Sequence, residues 1–126
     1  MPNPPLVVLI EDNVGDARWF WMQLRDAGVM CDVTTFDTGE TALQALSEMP
    51  TPDLIVVDGH LPMLGGALLI TVLKRLPGLD QIPLVVLTRH GDRRGAALQA
   101  GAIWCLDKPL GAHGVEVLLS FIHISG

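Results

Sequence analysis

The stretch PDLIVVDGHLPMLGG, residues 52–66, decides the fold. Its first half is a continuous apolar run, Leu54, Ile55, Val56 and Val57, rich in β-branched side chains, and it stops at Asp58. Such a run reads as a central parallel strand covered on both faces, because a strand with one wet face alternates apolar and polar residues. The glycine- and proline-rich residues that follow read as a loop. Asp58 therefore stands at the carboxyl end of a buried strand. Ligands of open α/β sheets bind in the crevice beyond those ends, which makes this carboxylate a candidate for chemistry. It also reads as a plain turn residue, since Asp next to Gly often begins a turn.

With 126 residues, 49% of them hydrophobic, the chain fits one domain, 1–126, that buries a core without disulfides or a structural metal. A net charge of -6 leaves no basic footprint, so neither nucleic acid nor an anionic membrane is an expected partner. The opening MPNPP lacks a secretory pattern, and no apolar run approaches the roughly 18 residues of a membrane span. A cytoplasmic location is expected. Cys31 and Cys105 show no metal-ligand spacing and read as small hydrophobes in reduced surroundings.

Outward from residues 52–66, five apolar segments recur: Leu6 to Ile10, Met30 to Phe36, Leu54 to Val57, Leu84 to Leu87 and Ile103 to Leu106. Each is followed by a helical pattern, and repeated βα alternation implies a parallel sheet with helices on both faces. The first helix should run from about Val14 to Ala27, capped by Gly28. The second should open at Asp37 with Glu40 in a capping box and be stopped by Pro50 and Pro52. The third should start near Gly66, carry Leu68, Leu69, Val72 and Leu73, and end before Pro77. The fourth spans about Asp92 to Ala100, with Arg93 and Arg94 set against the helix dipole. The fifth spans about Ala112 to Ile124. Trp19 and Trp21, about 200° apart on the first helix, cannot both face the sheet, so at least one should be exposed.

The strand ends concentrate chemistry. Glu11 and Asp12 close the first strand, Thr88 the fourth, and Asp107, Lys108 and Pro109 the fifth. Three acids on one sheet edge repel and call for a cation, and a hard divalent ion held by a few carboxylates plus water is the Mg²⁺ pattern. Singly these residues are turn acids, a capping threonine and a surface lysine. Jointly they form a constellation from four strand ends.

LIEDN, DLIVVDGHLPMLGG, Thr88 and GAIWCLDKP together resemble the receiver domain of bacterial two-component response regulators, in its single-domain, chemotaxis-regulator-like form. The resemblance covers essentially the whole chain. It implies a doubly wound, flavodoxin-like (βα)5 fold with a five-stranded parallel sheet of order 2-1-3-4-5. It implies that Asp58 accepts a phosphoryl group from a histidine kinase or phosphotransfer protein, with Mg²⁺ held by Glu11, Asp12, Asp58 and the backbone carbonyl of His60. Lys108 would pair with the phosphoryl oxygens, Lys108-Pro109 would be cis, and Thr88 would swing to the phosphoryl group as the switch. No output domain is expected, so the signal would pass by contact with a downstream protein that the sequence does not name. Turnover catalysis is not expected beyond self-phosphorylation and slow self-dephosphorylation.

Two residues depart from the family pattern. Arg89 stands where a small residue usually follows the threonine, and is expected to shield the site, slow attack by water, or pair with the phosphoryl group or the acid cluster. Cys105 stands where the family usually has a rotating aromatic ring, with Trp104 beside it on the other strand face. These departures motivate an alternative, a pseudo-receiver used for constitutive binding or dimerisation. A flavin-binding reading fits the topology but lacks a phosphate-cradling loop, since EDNVGD would repel a phosphate. The side chain of His60 is expected to face solvent, and His90, His113 and His123 have no ligand spacing. Whether the fourth-helix and fifth-strand face forms a homodimer is left open.

Overall fold

A computed structural model describes residues 4–61, 66–89 and 94–125. The strands are β1 (Leu6–Ile10), β2 (Asp32–Phe36), β3 (Leu54–Asp58), β4 (Leu84–Thr88) and β5 (Trp104–Asp107). Between and after them run α1 (Val14–Asp26), α2 (Gly39–Leu46), α3 (Gly66–Arg75), α4 (Arg94–Ala100) and α5 (Ala112–Ser125). All strand pairs are parallel, and their order is β2-β1-β3-β4-β5, as expected.

The apolar runs sort as parallel-sheet physics requires. Every residue of β3 and β4 is buried, whereas none of the edge strand β2 is and that strand stays partly wet. Successive side chains then feed two cores. Ile55, Val57, Val86 and Cys105 pack with Ala42 and Leu46 of α2, Leu69 and Leu73 of α3 and Ala97 of α4. Leu54, Val56, Val85 and Leu87 pack with Phe20 and Leu24 of α1 and Val115, Leu118 and Ile122 of α5. A one-residue slip of β3 would exchange these two sets, so the double burial pins the register. Pairing of Val8 with Ile55 and of Asp58 with Leu87 follows, and it brings the carboxyl ends of β1, β3 and β4 to one edge.

Several local expectations are revised. Thr38, one residue later than Asp37, caps α2: its side chain accepts from the Thr41 N–H at 3.1 Å. That helix ends at Leu46 with Ser47 as its cap, well before Pro50. Leu68 lies on the outer face of α3, and Ile70 takes the inward place beside Leu69 and Leu73. Both Trp19 and Trp21 are exposed, at 44% and 48%. Gly28 has φ 75°, as a left-handed helix cap requires. Pro62, His90, Asp92, Arg93 and the side chain of His123 lie outside the described residues. Among the described residues no helix is long and apolar enough to cross a membrane. Cys31, just before β2, and Cys105, in β5, lie at opposite sheet edges and are both free. Four strand spacings of about 4.8 Å separate those edges, far beyond the roughly 7 Å a disulfide tolerates.

Candidate functional site

Four strand ends, those of β1, β3, β4 and β5, meet at the carboxyl edge of the sheet. Gly59 follows Asp58 and donates its N–H to the Leu87 carbonyl at 2.8 Å, while the Lys108 N–H reaches the Thr88 carbonyl at 2.8 Å. These backbone bonds extend the ladders one step past the strands and hold Asp58, Thr88 and Lys108 in fixed relation. Gly59 is tight: a Cβ there would sit 3.1 Å from Val86 Cγ1 and 3.3 Å from the Leu87 carbonyl oxygen. The Lys108-Pro109 peptide is cis.

Glu11, Asp12 and Asp58 each place a carboxylate oxygen within 4.8 Å of the others. Glu11 and Asp58 are buried and Asp12 is exposed, so the cluster has a dry floor and a wet mouth. Three hard oxygen donors with one side open to water are the donor set that Mg²⁺ takes, so the residues fit that ion.

The Lys108 ammonium lies among these acids. Its Nζ is 2.6 Å from Glu11 Oε1, 2.9 Å from Asp16 Oδ2 and 3.3 Å from Asp58 Oδ1. Burial disfavours its charge, yet the hydrogen bonds to Glu11 and Asp16 and the fields of Glu11 and Asp58 outweigh that and raise its pKa. Burial pushes Glu11 up to about 7, helped by its hydrogen bond with Asp58 and opposed by Lys108. Burial also opposes ionisation of Asp58, but the hydrogen bonds from Glu11 and the His60 N–H, together with Lys108, hold its carboxyl below the usual range. Of the two buried acids, Asp58 is thus the one kept anionic.

A second layer surrounds this centre. His60 Nε2 is 3.1 Å from Thr88 Oγ1 and accepts the Arg89 N–H at 3.3 Å. These partners assign Nε2 as the unprotonated ring nitrogen, so the Thr88 hydroxyl donates to it. The ring therefore does not point to solvent as expected: the hydroxyl and N–H at the end of β4 draw it inward. Arg89 Nη2 reaches Asp16 Oδ2 at 3.0 Å, across from β4 to α1. Cys105 does not join the cluster. It is fully buried beneath α4, paired in register with Val86.

Sequence reasoning gave Asp16 no role, and Asp16 binds both cations. Its place follows from α1: Asn13 caps the helix by accepting the Asp16 N–H at 2.9 Å, which sets Asp16 in the first turn beside the end of β1. The spacing EDNVGD held the signal, an acid in the first turn of a helix that starts at the site.

The model of the response regulator receiver domain matches residues 7–119. Over 107 residues, 82% of this chain, the sequence is 36% identical to the DNA-binding transcriptional regulator NtrC of Escherichia coli K12. Those residues are 22% of NtrC, so the chain spans about a fifth of the length of that curated relative. A protein assigned as a response regulator from Chloroflexus aurantiacus J-10-fl superposes with a TM-score of 0.84 at 28% identity, over 95% of this chain and 98% of that one. The receiver domain of a sensor histidine kinase from Pseudomonas aeruginosa PAO1, with a magnesium ion coordinated in its active site cleft, superposes with a TM-score of 0.84 at 26% identity. That match covers 96% of this chain and 99% of that one. On a match running from β1 into α5, the chain belongs to the response regulator receiver domain family.

Proposed function

We propose that this receiver domain takes a phosphoryl group onto Asp58 from a histidine kinase or a phosphotransfer protein, and passes the signal on by a changed protein-binding surface. The observation that carries this reading is a buried carboxylate kept anionic at the sheet edge, with one ammonium 3.3 Å away and two further acids beside it. An oxygen of Asp58 attacks phosphorus in line with the leaving group. The P–O bond of an acyl phosphate, or the P–N bond of a phosphohistidine, breaks, and the departing atom keeps the electron pair. Lys108 neutralises charge on the phosphoryl oxygens. Glu11, Asp12 and Asp58, with the His60 carbonyl, would hold Mg²⁺, an ion like that in the cleft of the Pseudomonas receiver domain. Bound there it would supply further charge neutralisation at the phosphoryl oxygens. Thr88 is the switch: its hydroxyl leaves His60 and donates to the phosphoryl group, which biases the packing of the segment after β4.

Incubation with acetyl phosphate and MgCl₂ followed by intact-mass measurement tests the reading. The wild-type chain should gain one phosphoryl group, and Asp58→Asn should gain none. An adduct that persists in Asp58→Asn places the chemistry elsewhere. The alternative, a module that binds its partner without phosphorylation, draws on Cys105, which is fully buried and has no ring to turn. A wild-type chain that stays unmodified favours that alternative.

A further inference from the structure

Asp16 is the acid at this site that phosphoryl acceptance leaves unused. It lies outside the set of Glu11, Asp12 and Asp58, yet its Oδ2 receives Lys108 Nζ at 2.9 Å and Arg89 Nη2 at 3.0 Å. One carboxylate oxygen thus ties the end of β5, the residue after β4 and the first turn of α1 together. Asp16, Arg89 and Lys108 also line a cavity of about 370 Å³, walled by Trp19, Leu87 and Leu110.

An ammonium has three N–H donors. Those of Lys108 face three carboxylates, Glu11, Asp16 and Asp58. On phosphorylation the charge of Asp58 passes to the phosphoryl group, so the donor that faced Asp58 turns to a phosphoryl oxygen directly, and a second phosphoryl contact to Lys108 displaces Glu11 or Asp16. Glu11 has 1% of its side chain exposed, and releasing it would strand a carboxylate away from water. Asp16 is 31% exposed and can turn to solvent. It is the partner that gives way at least cost.

We propose that Asp16 is a built-in competitor of the phosphoryl group, a positioning residue that holds Lys108 and Arg89 while Asp58 is unmodified and surrenders both on phosphorylation. This rests on Asp58 being the phosphoacceptor. The new group brings roughly two negative charges and three strong acceptors, against one charge on Asp16. Arg89, 54% exposed on its side chain and bound at Asp16, is then free to turn onto the phosphoryl oxygens and screen them from water. The ion pair that joins α1 to the end of β4 opens in the same step. Phosphorylation is in this way read out as loss of a strap across the site.

The test compares wild type, Asp16→Asn, Arg89→Ala and the double variant, with Asp16→Ser as a second replacement. The Asp16 variants keep two carboxylates on Lys108 and Arg89→Ala keeps all three, and circular dichroism verifies folding. Adduct formation with acetyl phosphate and MgCl₂, and adduct decay after removal of the donor, are followed by intact mass. Asp16→Asn and Asp16→Ser should be phosphorylated about fivefold faster, the size of one half-exposed ion pair. Their adducts should also last longer, and adding Arg89→Ala should abolish that gain, a dependence that a merely structural role of Asp16 does not produce. Wild-type rate and lifetime in both Asp16 variants, or a lifetime gain untouched by Arg89→Ala, overturns the proposal while leaving the phosphoacceptor reading intact. A wild-type chain that accepts no phosphoryl group overturns both.

Discussion

Lys108→Met removes the one cation within salt-bridge reach of Glu11 and Asp58 among the described residues, and keeps a long apolar stem in its place. Lys108 has 8% of its side chain exposed, so water cannot take over the role of the ammonium. Stripping one partner from a buried ion pair costs about 3–5 kcal/mol, because the other charge is left uncompensated. Part of that cost is recovered by binding a proton. Glu11 already titrates near 7 through burial and its bond to Asp58, and it rises further once the pull of Lys108 is gone. At pH 6 both proteins carry that proton when folded. At pH 8 the wild type has largely released it while the variant still takes it from solution. The folded variant then binds more protons than the folded wild type, so its relative stability falls as pH rises, by about 1–2 kcal/mol between pH 6 and 8. Urea unfolding in EDTA, followed by tryptophan fluorescence at both pH values, measures the difference. The expected loss at pH 8 is about 3–5 kcal/mol, or a fall of some 10–20 °C in Tm. An equal loss at both pH values, or a larger one at pH 6, refutes the proton-sharing argument.

Glu11 itself makes the metal-free protein pH-dependent: its folded carboxyl is raised from 4.5 to about 7, so stability present below 4.5 is lost as pH climbs through 7. The loss approaches ~3 kcal/mol, and Glu11→Gln should flatten the slope and exceed wild type at pH 8 in EDTA; a slope that survives the substitution assigns it to another group. His60→Ala frees the Thr88 hydroxyl from its 3.1 Å bond and should lengthen the life of the phosphorylated form about fivefold, the value of one hydrogen bond, read by adduct decay. Cys105→Tyr restores the family's ring at a fully buried position packed against Ala97 and Ala102, and should lower stability by about 1–3 kcal/mol through overpacking. Chemical denaturation settles it, and a neutral result means the core beneath α4 opens more readily than its packing suggests.

The sheet was legible because the information is local and redundant. Leu54 to Val57 can be buried on both faces only in a central parallel strand, and five such segments alternating with helical patterns leave few topologies. What the pattern misjudged was choice among neighbours. Asp37 and Thr38 are both good caps, and only the observed bond from the Thr41 N–H to Thr38 decides between them. Leu68 and Ile70 are alike in composition, and which one faces in depends on the rotation of α3 against the sheet. Cys105 has a place in the sequence pattern, but its role depends on the space around it, which packing from α4 determines.

The site divides along the same line. Glu11, Asp12, Asp58, Thr88 and Lys108 stand at or just after strand ends, and parallel strands in register carry those ends to one edge, so their convergence follows from topology alone. Asp16 and the ring of His60 do not obey that rule. One lies a turn into a helix and the other two residues into a loop, and their directions come from the Asn13 cap and from the donors at Thr88 and Arg89. That a lysine offers three hydrogens can be read from Lys108 itself. That three carboxylates await them becomes visible only when α1 is laid beside β1, and of the two that remain carboxylates after phosphorylation, Glu11 and Asp16, it is Asp16 that has access to water and is the partner to be displaced.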